Sequence, residues 1–380
     1  MKSLNAFYVS KTKPGVILPL IAFGLIIASG CVQSGQIATE STPPPQLKTV
    51  PPVKTADPVS APNSEAPAAP RLKDMSKSVE ITASSKVDTL IVIDNSLSMG
   101  FEQKNMADRF TTFIDELSQL DWQLAITTTD VSADEDLKDG RLIKFSGFKN
   151  TSILNSKMNP DTVKDSFAKT IQRTETGNKN EQGIKATYRA LERSQDLTTI
   201  DDANRKLIRS DAALAVIVVS DADETPLVSK KGKSLATVKN TPKGLLDFIN
   251  KTWNGTKNIS FHSIVVKDGD KECLDKDRNE DYGLSYIQLS KLTNGLIGSV
   301  CEQDYGSQLK IIGQKVQTLI KTIRLDCAPA DTNGDGVEDI QLKNLDGKMM
   351  PGYHVDGLDV IFDEQLPMGT NTIDYKCIVK

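Results

Sequence analysis

The feature that most constrains the fold is a set of short segments that are rich in β-branched and other apolar residues. They lie at residues 87–94, 122–129, 212–219 and 259–266. Such runs are typical of parallel strands buried on both faces, because a strand with one face in water alternates apolar and polar residues. Between them, residues such as Phe110, Phe113 and Leu117 repeat at helical spacing. Strands that alternate with helices predict an α/β fold with a mostly parallel sheet covered by helices on both faces.

The first thirty residues have the pattern of an export signal. Basic residues precede a short apolar run at 16–28, which is too short to cross a bilayer comfortably. The run ends in Ala-Ser-Gly-Cys, which resembles the lipobox of bacterial lipoproteins. That resemblance implies that residues 1–30 are a lipoprotein signal peptide and that Cys31 carries a lipid. An ordinary cleaved signal with a chance cysteine is the alternative. With Cys31 lipidated, we expect a bacterial cell-envelope protein, anchored at the outer membrane and facing the periplasm or the surface.

Residues 31–80 are predicted to be a proline-rich, disordered tether. Nine prolines fall between Pro43 and Pro70, and large apolar residues are scarce. A segment of this composition cannot bury enough surface to offset the entropy lost on ordering. It is either a semi-rigid stalk or a linker with no length requirement.

A candidate metal site follows the first apolar strand. Asp94, Ser96 and Ser98 alternate in a tight loop, where one carboxylate and two hydroxyls can point to one centre. These hard oxygen ligands suit Mg²⁺, Mn²⁺ or Ca²⁺ rather than zinc. The strand at 212–219 is followed by Asp221, which parallel topology brings to the same edge of the sheet.

The segments VDTLIVIDNSLSMG and AVIVVSDADE, with the amphipathic helix near residues 306–324, resemble the von Willebrand factor A (vWA) domain. The resemblance covers about residues 87–325, within a domain placed at 85–326. It implies a doubly wound, Rossmann-like sheet and a metal-ion-dependent adhesion site with Asp94, Ser96, Ser98 and Asp221 as ligands. In this family, a carboxylate of the binding partner often completes the coordination of the ion.

Three further acidic residues are candidates around that site. The family's ligand threonine has no clear counterpart, and Glu181 is the favoured replacement, with a plain helix-start glutamate as the equal alternative. Asp223 is a candidate for a second ion or an outer ligand. Asp130 is either an outer hydrogen-bond acceptor or, more simply, a turn residue. A negative Glu181 or Asp223 at the ion would weaken its attraction for an acidic partner.

Composition argues against nucleic-acid binding and catalysis. The net charge of −4 provides no basic footprint. The only histidines are His262, placed inside a predicted strand, and His354, placed outside the main domain. No phosphate-binding P-loop is present. We therefore expect no catalytic residues and a non-enzymatic protein.

The cysteines suggest two disulfides. With Cys31 lipidated, four of the five cysteines remain, and four allow three pairings in an oxidising compartment. The favoured pairs are Cys273–Cys301, which closes an insertion after a strand, and Cys327–Cys377, which fixes the end of the chain. Free buried thiols are the alternative.

Residues 327–380 are predicted to be a small β-rich segment that begins with an acidic loop. Oxygen-bearing side chains at alternate positions resemble the first half of an EF-hand calcium loop: Asp331, Asn333, Asp335 and, as a substitute ligand, Asp339. Leu342 occupies the position where a complete EF-hand requires glutamate. A polar hairpin turn is the alternative.

Together these patterns predict a membrane-anchored, non-enzymatic vWA lipoprotein. It would bind a protein or peptide partner that offers a carboxylate to the divalent cation, Mg²⁺, Mn²⁺ or possibly Ca²⁺. The alternative is a structural protein of envelope assembly, in which the ion only stabilises the loops. The sequence indicates no oligomeric state.

Overall fold

The computed structural model describes residues 71–81, 85–131, 139–174, 177, 180–196, 198, 202–225, 236–276, 281–343, 349–366 and 369–379. Pro67–Lys380 forms one compact unit. The expected signal peptide, Cys31 and the tether up to residue 70 lie outside the described residues. Within the described ranges, no helix is long and apolar enough to span a membrane.

The described unit contains twelve strands and eight α-helices, named in chain order. The strands are β1 (Arg71–Ile81), β2 (Lys86–Ile93), β3 (Asp121–Thr128), β4 (Leu154–Asn155), β5 (Ala213–Val219), β6 (Ile259–Val265), β7 (Ile297–Ser299), β8 (Thr322–Arg324), β9 (Ile340–Lys343), β10 (Tyr353–Asp356), β11 (Asp359–Phe362) and β12 (Gly369–Val379). The helices are α1 (Gly100–Glu116), α2 (Pro160–Ile171), α3 (Gly183–Gln195), α4 (Asp202–Leu207), α5 (Pro242–Thr252), α6 (Lys271–Leu274), α7 (Leu284–Leu292) and α8 (Gly306–Leu319).

The main sheet has six strands in the order β4-β3-β2-β5-β6-β7. All neighbours are parallel except β3 and the short edge strand β4, which are antiparallel. At the centre, Ile91 of β2 lies opposite Ile126 of β3 and Ile217 of β5. The expected α/β fold with a mostly parallel sheet is therefore confirmed.

Both faces of the main sheet are covered by helices. Alternate side chains of a strand point to opposite faces, so Ile91 and Ile93 contact one hydrophobic cluster and Leu90 and Val92 contact another. The first cluster includes apolar residues of α1, α2 and α8, and the second those of α3, α5 and α7. This double coverage explains why side chains are buried on both faces of the central strands, as in β5, where every residue is buried.

The chain order of the main sheet reverses next to β2. From β2 the chain moves to β3 on one side and later returns to β5 on the other. The loops after β2 and β5 consequently emerge side by side at the carboxyl edge of the sheet. Their contact begins with the backbone N–H of Asp94, which donates to the carbonyl of Val219 at 3.0 Å. This is the position where open α/β sheets bind ligands.

A second, smaller region combines both ends of the described chain, and we call it the C-terminal module. It consists of two three-stranded sheets, β1-β12-β9 and β10-β11-β8. Its core contains Ile323, Val360, Phe362 and Ile373. β1 pairs with β12 in antiparallel fashion along its whole length, from Arg71 opposite Val379 to Ile81 opposite Gly369.

The C-terminal module changes two of the expected boundaries. Residues 71–80 were expected to belong to the tether, but they lie in β1, where Met75 and Val79 pack against the module core. Residues 327–380 are β-rich as expected, yet they are not a unit by themselves, since β1 and β8 complete their sheets. The long helix expected to run to residue 324 ends at Leu319, because β8 begins at Thr322. These boundaries depend on pairing with distant strands, which local patterns do not contain.

Both favoured disulfides are present. Cys273 is bonded to Cys301 across a sequence separation of 28 residues. Cys327 is bonded to Cys377 of β12 across 50 residues. The first bond joins the segments that follow β6 and β7 near the carboxyl edge of the main sheet. The second joins the segment that follows β8 to β12, the central strand of the β1-β12-β9 sheet.

Candidate metal site at the carboxyl edge of the sheet

Asp94 is the fixed centre of the candidate site. It directly follows β2 and its side chain is fully buried. One carboxylate oxygen, Oδ1, accepts a hydrogen bond from the backbone N–H of Ser96 at 2.8 Å. The other, Oδ2, accepts one from the hydroxyl of Ser220 at 2.7 Å, and the Asp94 carbonyl accepts one from Gln103 of α1 at 2.9 Å. The loop after β2 is thus held by both β5 and α1.

The two serines of the motif come together beside Asp94. A 3-10 turn at Leu97–Met99 folds the chain so that the hydroxyl oxygens of Ser96 and Ser98 lie 2.9 Å apart. Both serines are partly exposed, whereas Asp94 is buried. The turn therefore brings the two hydroxyls of the motif together, close in sequence to the buried carboxylate of Asp94.

Asp221 lies on the neighbouring loop after β5. It is buried, and its carbonyl accepts a hydrogen bond from the backbone N–H of Asp281 at 3.3 Å. Burial raises the pKa of Tyr305, and the negative charges of Glu102 and Asp221 raise it further. Asp221 and Glu102, both buried, therefore lie near the same buried phenol.

Glu181 joins the loops after β3 and β5. Its buried carboxylate accepts a hydrogen bond from the hydroxyl of Thr129 at 2.5 Å, and its carbonyl accepts one from the backbone N–H of Thr225 at 2.6 Å. Asp130, beside Thr129, is also buried, and its carbonyl accepts a hydrogen bond from the N–H of Asp139 at 2.9 Å. Glu181 lies two residues before α3, and its carboxylate binds Thr129 rather than the first turn of that helix.

Asp223 holds a helix. Its Oδ1 accepts a hydrogen bond from the backbone N–H of Ser285 at 2.9 Å, and its Oδ2 accepts one from the Ser285 hydroxyl at 3.0 Å. These bonds place the carboxylate at the N-terminus of α7, where negative charge is favoured. Burial raises the pKa of Asp223 above its usual value. Both oxygens serve in capping α7, a role that the sequence pattern did not indicate.

Glu224 caps the N-terminus of α3, a role that the sequence analysis did not predict. Its carboxylate accepts hydrogen bonds from the backbone N–H groups of Ile184 at 2.8 Å and Lys185 at 3.2 Å, and from the amide of Asn240 at 2.8 Å. Burial raises the pKa of Glu224 to about 8. A signal for this role exists: Gln182, which precedes α3, makes no side-chain cap of its own. The first turn of α3 therefore needs an acceptor from elsewhere.

The side chains near Asp94 offer oxygen atoms as possible metal ligands. Within the described part of the chain, no three His, Cys, Asp or Glu side chains form a group that could hold a metal. Asp94, Ser96 and Ser98 instead offer one carboxylate and two hydroxyls, and hard cations accept such oxygens. The amide oxygen of Asn95 is buried beside them and makes no hydrogen bond to any described residue. The residues present fit a hard divalent cation and do not fit zinc.

His262 is a structural residue of β6. It is fully buried, its Nδ1 accepts a hydrogen bond from the backbone N–H of Leu296 at 3.0 Å, and its Nε2 lies 2.9 Å from the hydroxyl of Ser260. Burial lowers the pKa of His262 to about 3, so the ring is neutral at pH 7. His354 lies on β10, in the C-terminal module.

The acidic loop of the C-terminal module is exposed and folded on itself. The two carboxylate oxygens of Asp331 accept hydrogen bonds from the backbone N–H groups of Gly334 at 2.6 Å and Gly336 at 2.8 Å. Asp339 accepts one from the amide of Asn333 at 3.0 Å. Both glycines have positive φ angles, 80° and 87°, which glycine adopts without strain. The described bonds fit a polar turn, and the same oxygens remain the candidates for calcium.

Comparison with known proteins gives no family for this chain. No family model matches it, and no curated protein matches it. Among solved structures, the pilus adhesin SpaC from Lactobacillus rhamnosus GG is similar at 10% identity and a TM-score of 0.39, over 83% of this chain and 42% of that one. Proximal thread matrix protein 1 from the mussel byssus is similar at 15% identity and a TM-score of 0.31, over 64% and 47% respectively. The chain thus spans less than half the length of either protein, and a likeness this distant does not define a function.

Proposed function

We propose that residues 85–326 form a vWA-type domain with a doubly wound sheet and that this domain binds a divalent cation. Asp94, Ser96 and Ser98 would hold the ion, with Asp221 bound directly or through water. Mg²⁺, Mn²⁺ and Ca²⁺ all suit these oxygens. Through the ion, the domain would bind a protein or peptide partner that offers a carboxylate, without catalysing a reaction.

The observation that supports this proposal best is the pair of serine hydroxyls, 2.9 Å apart, beside the buried Asp94 carboxylate. They occupy the point where the strand order reverses, and the loop after β5 adds Asp221 from the next strand. A buried carboxylate supplies charge, and partly exposed hydroxyls leave an approach for a partner. Neither feature alone would favour a ligand-binding ion over a structural one.

We further propose that the protein is exported and attached to the bacterial envelope through a lipid on Cys31. The two disulfides support an oxidising compartment. The lipobox-like sequence and the proline-rich segment support the anchor and the tether, and would place the ion site away from the membrane.

A structural role for the ion is the second candidate, and Glu181 favours it. Its carboxylate and carbonyl join the loops after β3 and β5 beside the proposed site. If Glu181 also bound the ion, the coordination sphere would be filled by the chain and the ion would serve to stabilise these loops. Asp223, in contrast, is engaged with α7, so it gives little support to a saturated site.

The test is a thermal and chemical unfolding series on residues 67–380, metal-stripped and then with Mg²⁺, Mn²⁺ or Ca²⁺. An ion at a hundredfold excess over its dissociation constant should raise the free energy of unfolding by about 2.7 kcal/mol. The rise should disappear in Asp94→Ala. It should shrink in Ser98→Ala, which leaves the described hydrogen bonds of Asp94 in place.

Asp108→Ala is the matched control, because Asp108 is an exposed aspartate of α1 that pairs with Lys104. It should keep the full metal effect. Equal responses in wild type, Asp94→Ala and Ser98→Ala would exclude the ion site. A metal effect without any metal-dependent carboxylate binding would favour the structural role over partner binding.

A further inference from the structure

Two large apolar side chains are exposed to solvent in and just after the turn that carries the serine hydroxyls. Leu97 lies between Ser96 and Ser98 and is 79% exposed, and Phe101, in the first turn of α1, is 51% exposed. Met99, between them, is fully buried. The turn therefore divides its apolar residues between the core and the solvent beside the candidate ion site.

The core does not account for these two residues. α1 already uses a separate face for packing, since Met106, Phe110 and Phe113 are buried in the cluster shared with α2 and α8. Leu97 and Phe101 are not part of that cluster. Single exposed apolar residues are ordinary on protein surfaces. Here two of them lie within five positions of the chain, close in sequence to the partly exposed hydroxyls of Ser96 and Ser98.

We propose that Leu97 and Phe101 form an apolar shoulder that binds a bulky apolar group adjoining the partner's carboxylate. This inference rests on the proposed function, because the carboxylate is placed by the ion. The occupant is a segment of a protein partner in which an acidic side chain stands next to a large apolar one. A hard cation binds carboxylates with little regard to what carries them, so the shoulder would supply the selectivity.

Because of the charge at the carboxyl edge, binding of the carboxylate should depend on the ion, whereas the apolar contact should not. Asp94 and Asp221 are buried there, and a second carboxylate brought to them without a cation would be repelled. The ion therefore switches carboxylate binding on. The apolar contact needs no ion, and each methylene group that it fully buries strengthens binding about fourfold. Affinity for simple carboxylates should accordingly rise with the length of their apolar tail.

Acetate and hexanoate are suitable probes on residues 67–380, the compact unit that contains every described element. With Mn²⁺ in the site, the protons of a bound carboxylate relax faster, and titration of this effect by proton NMR gives an affinity even when binding is weak. Asp94→Ala provides the background from Mn²⁺ elsewhere. We expect hexanoate to bind at least about tenfold more tightly than acetate to the wild type, from partial burial of its four additional methylene groups.

The decisive variant is Leu97→Ser with Phe101→Ser, which leaves Asp94, Ser96 and Ser98 unchanged. It should bind acetate like the wild type and lose the preference for hexanoate. Leu292→Ser is the matched control, because Leu292 is 41% exposed at the far end of α7 and should keep the preference.

The outcomes separate this inference from the function on which it rests. Mn²⁺-dependent binding of acetate without a preference for hexanoate, or a preference that survives in the double variant, overturns the apolar shoulder and leaves the ion site standing. If neither carboxylate binds in a manner that depends on Mn²⁺ and Asp94, the proposed function fails, and the shoulder fails with it.

Discussion

The main sheet and the C-terminal module are built from sequence in opposite ways. In the main sheet, the strands from β2 to β7 follow one another along residues 86–299, and each parallel connection passes through a helix or a loop of the same region. In the C-terminal module, the longest pairing joins β1 to β12, so that Lys73 lies opposite Cys377. One region is assembled from neighbours and the other from the two ends of the described chain.

The difference is also one of burial. Every residue of β5 is buried, because helices cover both faces of the strand. In β1 the first four residues are exposed, and only alternate residues of its second half are partly buried. A small core of this kind supplies limited stability. The Cys327–Cys377 bond closes a separation of 50 residues, and a loop of that length removes enough unfolded-state entropy to contribute about 4 kcal/mol.

The largest expected effect comes from removing β1. A protein that begins at residue 82 lacks the strand that pairs with all of β12, while the main sheet keeps its strands and both hydrophobic clusters. We expect the amides of β9 and β12 to lose protection in hydrogen exchange, and those of β5 and β6 to keep it.

A protein that begins at residue 71 is the matched control, because it retains β1 and differs only in what precedes it. It should match residues 67–380. Protection of β12 that persists without β1 would show that the module does not depend on the N-terminal strand, and the contrast between the two regions would weaken.

A smaller effect is expected from pH, because the free energy of unfolding of the main sheet should depend on the buried His262. The pKa of His262 is about 3 in the folded protein and about 6.5 when unfolded. Between these values only the unfolded state binds the proton, so the free energy of unfolding falls as the pH drops below about 6.5. By linkage, this histidine should cost the wild type on the order of 3 kcal/mol between pH 7.5 and pH 4.5.

His262→Asn removes the titrating ring and retains an acceptor for the Leu296 N–H. It should be less stable at pH 7.5, since it shortens a buried side chain, but its stability should depend less steeply on pH. Urea unfolding at both pH values measures the difference. His354→Asn, at an exposed position of the C-terminal module, should behave like the wild type. Parallel pH profiles for wild type and His262→Asn would mean that the buried ring does not control the acid sensitivity of the main sheet.

Much of the main sheet could be predicted because its information is local. Continuous apolar runs identified β2, β3, β5 and β6, and the D-x-S-x-S spacing placed Asp94, Ser96 and Ser98 in one turn. Parallel topology then placed Asp221 at the same edge. Each of these inferences needs only a period, a spacing or the direction of a strand.

The sequence did not show which strand pairs with β1 or which backbone groups each buried carboxylate binds. Arg71, Lys73 and Asp74 were assigned to the tether from the sequence. Only the pairing with β12 shows that they form a strand. Asp223 was expected as an extra carboxylate at an ion site, but it binds the N-terminus of α7. Glu224, which the sequence analysis did not single out, binds the N-terminus of α3. A free helix N-terminus attracts any acceptor that the fold brings close, and only the packed structure shows which acceptor arrives.

The smallest expected effect is the stabilisation of the C-terminal module by Ca²⁺ bound to its acidic loop. It tests whether this module has a cation site in addition to the one proposed for the main sheet. The loop is exposed, so calcium bound there would compete with water and bind weakly, in the range about 10⁻⁴ to 10⁻³ M typical of extracellular modules. At tenfold excess over its dissociation constant, Ca²⁺ should raise the free energy of unfolding of the module by about 1.4 kcal/mol.

Asp335→Asn removes one negative charge and keeps an oxygen for the N–H of Val337, to which Asp335 is bonded at 2.9 Å. The loop should therefore fold as before and lose most of the calcium effect. Asp94→Ala is the complementary control, because it alters only the main-sheet site and should leave this effect intact. Hydrogen exchange of β9 and β12, with and without Ca²⁺, reports the module separately from the main sheet. If Asp335→Asn and the wild type respond equally to Ca²⁺, the loop is not a calcium site, and the internal hydrogen bonds of Asp331 suffice to form the turn.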